Sequence, residues 1–495
     1  MMSISPIQIK PMINKLKQTR LDKLDKIKKA GINPYPAKCE RTHTIKQALD
    51  SFDEFFRSEK EIVLAGRIRM IRSHGGLTFA NIEDQSGQIQ LFFRRDKIGK
   101  EKYAMLKNLD IGDFIQAGGN LFNTKRDEKT LLIKNYKILT KSLLPLPEKW
   151  HGLKDGEERL RKRYLDILFN PETRKMVERK AVFWNAVREF YIKRGFLEVE
   201  TPVLENTVGG ADAQPFATHH NALDIDVYLR ISAGELWQKR LMVAGFEKTF
   251  EIGRIFRNEG MSAEHLQDYT QMEFYWAYAD YEMAMKLVKE MYCYVAEKTF
   301  GTLEFEIRNF KINLGKKWKR YDYKEEIEKF TGIDILKTDL NEIRKKLDEL
   351  KIESEKNLNL ARGIDNLWKY CRRKIAGPGF LVNIPVIVSP LAKKLENNPQ
   401  LTQRFQPIIA GSEIGNGYSE LNDPIDQAER FKEQSKLRAA GDKEAQMTDK
   451  EFVKALEYGM PPTAGFGVSE RLFSFLMNKP IRECQIFPLM RPKSF

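Results

Sequence analysis

The stretch FRNEGMSAEHLQDYTQMEF, residues 256–274, puts charged side chains where a buried sheet ordinarily holds apolar ones. Its two ends alternate as strands, and its polar middle reads as a loop. Arg257 and Glu259 stand two residues apart and so share a face of a strand, and Glu273 returns with the same parity on the partner strand. An inward arginine and inward carboxylates are costly to bury unless they meet something charged. A charged ligand is therefore expected at this hairpin.

Around the hairpin, a helical pattern runs from Pro171 to Arg194, stops at Gly195 and is followed by FLEVETPVL, which alternates as a strand. Further strands are predicted at VYLRIS, FEIGRIF, TQMEFYWAY and GYSEL, spread over two hundred residues with helices between them. That pattern gives an α+β unit on a mixed or antiparallel sheet. There is no G-x-x-x-x-G-K-[ST] loop and no strand-linked G-x-G-x-x-G, which excludes the common phosphate-binding loops. Residues 316–374 form a charged helical insertion without a chemical motif.

The N-terminal part has a different rhythm. IVLAGRIRMI, LTFANIED, GQIQLFF, DFIQAGGNLF and TLLIKNYKIL are five short β-rich runs in about 80 residues, which predicts a small closed barrel of the oligonucleotide-binding kind. Before them, residues 10–29 carry eight basic and two acidic side chains, with Leu21, Leu24 and Ile27 at every third position. This is a basic amphipathic helix, suited to RNA or to packing on its own domain. The expected organisation is a basic helical segment at 1–60, the barrel at 61–143, a linker rich in proline and charge at 144–165, and the large unit at 166–495.

The chain has 495 residues, 42% hydrophobic and 31% charged, a globular balance for about two to four domains. Its net charge of +15 suits a polyanionic partner, and equally suits solubility alone. The run from Phe380 to Val388 is broken by Asn383 and Pro385, short of the roughly 18 residues a bilayer requires. The N-terminal MMSISPIQIK has no apolar signal core, so a cytoplasmic protein is expected. The four cysteines, Cys39, Cys293, Cys371 and Cys484, are scattered without ligand spacing, which argues against a disulfide framework or structural zinc. His219 and His220 are adjacent, point to opposite faces of a strand and read as structural; His74 and His151 lack partner spacing.

FRNEG, His265 in the loop and the aromatic Tyr269 resemble motif 2 of the class II aminoacyl-tRNA synthetases. GFLEVETPVL at 195–204 is similar to motif 1, the dimer-forming segment, and GFGVSERLFSFL at 465–476 to motif 3. GGADAQPFATHHNALDIDVYLRIS and EIGNGYSELND resemble the lysine-specific members, of bacterial type in subclass IIb. The resemblance implies ATP, L-lysine and tRNA(Lys) as partners, Mg²⁺ as cofactor and a homodimer. It implies that Arg257 bridges the substrate carboxylate and the α-phosphate, that Asn416 holds the carboxylate, and that Glu235 and the backbone at Gly210 take the α-ammonium. Glu273, Tyr275 and Glu420 are implied to surround the ε-ammonium. Glu259, His265, Tyr269 and Arg471 are implied for the nucleotide, Glu413 and Gln406 for the metal, and Arg72, Phe79 and Gln90 for the anticodon. The residue types agree with that chemistry, because lysine needs one cationic fork and several acidic acceptors.

Three places depart from the family pattern: Gln406 stands where a second metal carboxylate is usual, motif 3 is one residue short, and the motif 2 loop reads Leu266-Gln267-Asp268-Tyr269. Three alternatives remain open at this level. An aspartyl or asparaginyl enzyme is opposed by Glu235, Glu273 and Glu420. A paralogue that lysylates a protein is opposed by the barrel, and a degenerate RNA-binding protein by Arg257, Glu259 and Arg471. Apart from the resemblance, Phe79 fits a core strand residue better than a base platform, and GGADAQPF fits either a turn cluster or a loop closing over the amino acid.

Overall fold

The computed structural model describes residues 6–147, 155–211, 213–354, 358–441 and 445–493. His151 and the middle of the expected linker, residues 148–154, lie outside them, as do the first five residues. The chain divides into two compact units, Met1–Lys154 and Asp155–Phe495.

In the first unit, β1 (Glu61–His74), β2 (Leu77–Asp84), β3 (Gly87–Arg94), β4 (Phe114–Asn123) and β5 (Lys129–Thr140) close a barrel in the order β1-β2-β3-β5-β4. β3 and β5 are parallel and the other neighbours antiparallel. The barrel's interior is filled by Ile62, Leu64, Ile68, Ile82, Leu91, Phe93, Ile115 and Ile133, all fully buried, with regular alternation in β2 and β3 and an irregular pattern in β4 and β5. At Gly119 the register of β4 shifts, and a Cβ there would fall 1.9 Å from the Leu132 carbonyl oxygen, so only glycine permits the bend. Helix α1 (Pro6–Lys29) buries Leu24 and Ile27. Arg20 donates to the carbonyls of Ile111 and Leu144, and Lys23 pairs with Asp110 at 2.6 Å. At these positions the basic helix packs on its own unit.

The second unit is built on one large sheet of β6 (Leu197–Glu198), β7 (Lys248–Phe256), β8 (Asp268–Ala277), β9 (Lys319–Asp322), β10 (Gly379–Val382), β11 (Arg404–Ile409), β12 (Ser412–Glu413), β13 (Asn416–Ser419) and β14 (Thr463–Ser469). The order is β9-β10-β11-β13-β14-β8-β7-β6, with β12 on β11. The centre is antiparallel, and the outermost pairs, β9 with β10 and β7 with β6, are parallel. Two long helices, α2 (Pro171–Ile192) and α4 (Tyr281–Phe300), share a core with the sheet through Phe183, Phe190, Val288 and Met291 against Phe250, Met272, Phe274 and Phe466. Residues of opposite parity on β8, β13 and β14 face the other way, where the functional side chains gather.

Helix α3 (Glu235–Val243) begins directly after Gly234, which adopts φ +74. The insertion forms α5 (Tyr323–Thr331), α6 (Leu340–Glu349) and α7 (Leu360–Arg372), with a core of its own around Ile327, Ile343, Leu347, Leu367 and Trp368. Two local expectations are corrected. FLEVETPVL is not one strand: only Leu197–Glu198 and Leu204–Glu205 are extended in sheets, because Pro202 offers no N–H to a ladder. Strand β7 ends at Phe256, so Arg257 and Glu259 leave it on the turn that follows.

Lys141 is the electrostatic keystone of the barrel unit. Its side chain is fully buried, with Nζ 2.6 Å from Asp110 Oδ2 and 2.9 Å from Asp113 Oδ2, while the Ser142 N–H and Oγ–H donate to Asp113 Oδ1. Lys141→Met leaves a buried Asp113 without its cation, at an expected cost of about 3–5 kcal/mol, and adding Asp113→Asn recovers most of it. Urea denaturation of the three proteins checks this; a single variant as stable as the parent contradicts it.

Candidate active site

Three neighbouring strands make the floor of the site. The register aligns Glu273 of β8 with Gly467 of β14 and Asn416 of β13, and, two residues on, Tyr275 with Gly465 and Tyr418. The glycines of GFG leave room for side chains that lie across them, from β8 at both positions and from Glu420, just past β13, at Gly465. A Cβ on Gly465 would sit 2.2 Å from Glu420 Oε1 and 2.6 Å from the Tyr275 ring; one on Gly467 would sit 3.1 Å from Glu273 Cγ.

Above this floor is a cavity of about 330 Å³. Its lining brings together Gly210, Glu235, Arg257, His265, Tyr269, Glu273, Tyr275, Gln406, Glu413, Asn416, Glu420 and Arg471. Glu259 is the exception among the expected pocket residues. It lines an adjoining cavity of about 390 Å³, which shares Arg257, His265, Gln406 and Glu413 with the first.

One end of the cavity is acidic. Glu235, Glu273 and Glu420 are 5%, 4% and 2% exposed, so none is an ordinary surface carboxylate. Neutral donors hold Glu273: the Ala233 N–H at 2.8 Å and Gln271 Nε2 at 2.5 Å to Oε1, and the Tyr275 hydroxyl at 3.0 Å to Oε2. The Tyr418 hydroxyl donates to Glu235 Oε1. Burial, reinforced by the charge of Glu235, pushes the Glu273 carboxyl up to about 7. Burial pushes Glu420 up to about 8, with Lys239 pulling down and Glu235 and Glu273 pushing up.

The other end is cationic. Arg257 donates through Nε and Nη2 to the Ile231 carbonyl at 3.2 and 3.1 Å, which aims the guanidinium, and lies 5.8 Å from the Tyr269 ring centroid. Arg404 Nε donates to Asn416 Oδ1 at 2.8 Å, so the amide NH₂ of Asn416 is the group able to donate to a carboxylate. Arg471 pairs with Glu264, which also pairs with Arg308, and the Ser412 hydroxyl donates to Glu264 Oε2 at 3.2 Å. Burial alone would raise Glu264, but Arg471 and Arg308 outweigh it and hold the carboxyl at about 2.

Glu413 accepts from the Trp368 indole N–H and lies 3.1 Å from Arg372 Nη1. Among the described residues no group of three or more His, Cys, Asp or Glu is placed to hold a metal ion. One carboxylate, Glu413, and one amide oxygen, Gln406, fit an oxygen-seeking cation that takes its other ligands from phosphate and water.

On the barrel, Arg72, Phe79 and Phe92 are consecutive cross-strand partners. Phe79 lies between buried Thr78 and Ala80 on the outer face, half-buried, and stacks on Phe92 with centroids 4.5 Å apart and planes 14° off parallel. Phe122 extends the row, 6.0 Å from Phe92. Gln90, two residues before Phe92, donates to Glu128 at 2.8 Å and accepts from Thr130 at 3.0 Å.

Several participants escaped the sequence reading. Lys239 carried a usable signal, since its i+4 spacing from Glu235 puts both on one helical face, and Phe92 shares its strand parity with Gln90. Arg308, Trp368, Arg372 and Arg404 reach the site from segments that carry no local pattern.

A sheet with a glycine-opened floor, a guanidinium at one end and an acidic pocket at the other fits an enzyme whose substrates carry charges of both signs. Residues 155–491 match the family model of class II tRNA synthetases (D, K and N), and residues 62–139 that of the OB-fold nucleic acid binding domain. The lysine–tRNA ligase of Carboxydothermus hydrogenoformans is 46% identical over 485 residues, 97% of this chain and 99% of that protein. Those of Moorella thermoacetica and Thermosipho africanus are 45% and 43% identical, each over 97% or more of both chains. The chain belongs to the class II tRNA synthetases.

Gly465→Ala tests the floor. The added methyl displaces Glu420 and Tyr275, and amino-acid-dependent exchange of pyrophosphate into ATP is expected to fall at least about 100-fold, as misplacement by 1 Å does elsewhere. The circular dichroism spectrum should stay that of the parent. Unaltered exchange would show that the strands have room to spare.

Proposed function

We propose that the chain is a lysine–tRNA ligase. It activates L-lysine with ATP to lysyl-adenylate and pyrophosphate, then transfers lysine to the 3′-terminal adenosine of tRNA(Lys). The observation that carries this reading is the convergence of buried Glu235, Glu273 and Glu420 on one cavity with Arg257. An aspartate or asparagine side chain would bring no second ammonium to those carboxylates.

Adenylate formation needs no side-chain nucleophile, because the substrate carboxylate attacks the α-phosphorus and expels pyrophosphate. The protein positions the reactants and stabilises developing charge. Arg257 bridges the carboxylate and the α-phosphate, and Asn416 donates to the carboxylate. Glu235 and the Gly210 backbone receive the α-ammonium, while Glu273, Tyr275 and Glu420 receive the ε-ammonium. Glu259, His265 and Tyr269 address the nucleotide. Arg471 meets the polyphosphate after giving up Glu264. Glu413 and Gln406 would hold Mg²⁺, which supplies charge neutralisation at the phosphates. The tRNA 3′-hydroxyl then attacks the adenylate carbonyl and AMP leaves.

Residues 61–143 serve the anticodon, with Phe79 as stacking platform, Gln90 as an edge reader and Arg72 as the basic contact; the row continuing through Phe92 supports stacking. A homodimer through the 195–204 segment is supported by Leu197, Val203 and Leu204, each more than 40% exposed. No helix among the described residues is long and apolar enough to cross a membrane, and we assign the enzyme to the cytoplasm, where translation runs.

Exchange assays with all twenty amino acids should respond to lysine alone; no response to any would sink the reading. Glu420→Gln is expected to raise KM for lysine about 30- to 1,000-fold, the equivalent of roughly 2–4 kcal/mol, and to leave KM for ATP within about threefold. Equal losses would remove Glu420 from the amino-acid subsite. Because ammonium binding needs ionised carboxylates, and Glu273 and Glu420 ionise at about 7 and about 8, KM for lysine should fall as pH rises through that window. Phe79→Ala should cut tRNA charging at least about fivefold and leave exchange intact; a parallel collapse of exchange would make Phe79 a residue of the fold.

A further inference from the structure

The acidic end contains a resident cation. Lys239 is 1% exposed, with Nζ 2.7 Å from Glu235 Oε1 and 2.5 Å from Glu420 Oε2. The rings of Tyr418, Phe452 and Tyr275 surround it, with centroids at 5.3, 5.8 and 6.0 Å. An ammonium removed from water this thoroughly persists only because both carboxylates face it.

The contacts are divided in an informative way. Lys239 takes one oxygen of each carboxylate. Of the other two, Glu235 Oε2 lies towards Gly210, 3.0 Å from where a Cβ on that glycine would stand, and Glu420 Oε1 lies beside Gly465 and the Tyr275 ring. The oxygens left over are therefore at the two places that the proposed function gives to the α-ammonium and the ε-ammonium. The charges also balance. Once all three carboxylates are ionised, they and the one ammonium leave two negative charges in the pocket, equal to the two ammonium groups that lysine brings.

We propose that Lys239 is a positioning residue for the amino acid: it ties the acceptor of the α-ammonium to the acceptor of the ε-ammonium, fixes the span between their unused oxygens, and lowers the charge of the pocket to that of a diammonium ligand. This rests on the assignment of lysine as the substrate. The fixed span favours a four-carbon side chain over the three-carbon chain of ornithine. The positive charge helps Glu420 to ionise against the opposing groups around it, Glu235 from α3 and Glu273 from β8, where Tyr275 and Tyr418 also face the pocket and Arg404 approaches from β11.

The test compares the full-length parent with Lys239→Met and Lys239→Arg in lysine- and ornithine-dependent pyrophosphate exchange across pH 6 to 9. The parent separates the two claims, because absence of lysine-dependent exchange there overturns the substrate assignment whatever Lys239 does. With the parent active on lysine, Lys239→Met is expected to raise KM for lysine at least about 30-fold with KM for ATP within about threefold, and to cut the preference for lysine over ornithine about tenfold. It should also move the acid limb of kcat/KM for lysine up by at least about one pH unit. Lys239→Arg, which keeps the charge on a different frame, should restore the limb but not the preference. An unmoved limb with lysine and ATP constants worsening together would make Lys239 a packing residue and overturn the proposal, as would parental kinetics. Should Lys239→Met not fold, judged by circular dichroism and ATP affinity, Lys239→Gln takes its place with the same expectations.

Discussion

Carboxylates resist being buried beside one another, and the second unit buries three of them in one pocket. Each escapes the cost of an unpaired buried charge in a different way. Glu273 is held by neutral donors, from the Ala233 backbone and from Gln271 and Tyr275. Glu235 has a phenol and an ammonium, and Glu420 has the same ammonium from its other side. What remains uncompensated shows in the raised ionisation of Glu273 and Glu420, and a ligand bearing two ammonium groups is the species that removes it.

The cationic end is arranged as the counterpart. Arg471 and Arg308 share Glu264 as a counterion, and Arg372 pairs with Glu413. Both ends of the cavity thus hold internal counterions, which the proposed substrates, with ammonium groups at one extreme and phosphates at the other, would replace. Asn416 stands between the two, its oxygen committed to Arg404. Such preorganisation is what a reaction without a protein nucleophile requires, since orientation and charge stabilisation are the protein's whole contribution.

Much of this was legible in the chain because strands and helices have short periods. The five barrel strands emerged as short β-rich runs between turn residues, and Glu273 and Tyr275 share a face because a strand repeats every two residues. The motif glycines were visible as glycines, but their purpose was not: Gly465 is required by Tyr275 on β8 and by Glu420, just past the end of β13. FLEVETPVL misled because alternation was read across a proline, and Arg257 fell beyond the strand expected to hold it.

The sequence by itself determined which residues share a face of a strand or helix, because those periods are local, and it carried the motifs that resemble the family and the inventory of charges that suits the ligand. Which charges from distant segments meet was decided by the tertiary structure alone. Glu264 reaches Arg308 and Arg471 across 44 and 207 residues, Glu413 pairs with Arg372 of the insertion, and Lys239, already a helical neighbour of Glu235, meets Glu420. Ion pairing acts through space over a few ångströms and is indifferent to separation along the chain, so no periodicity records it.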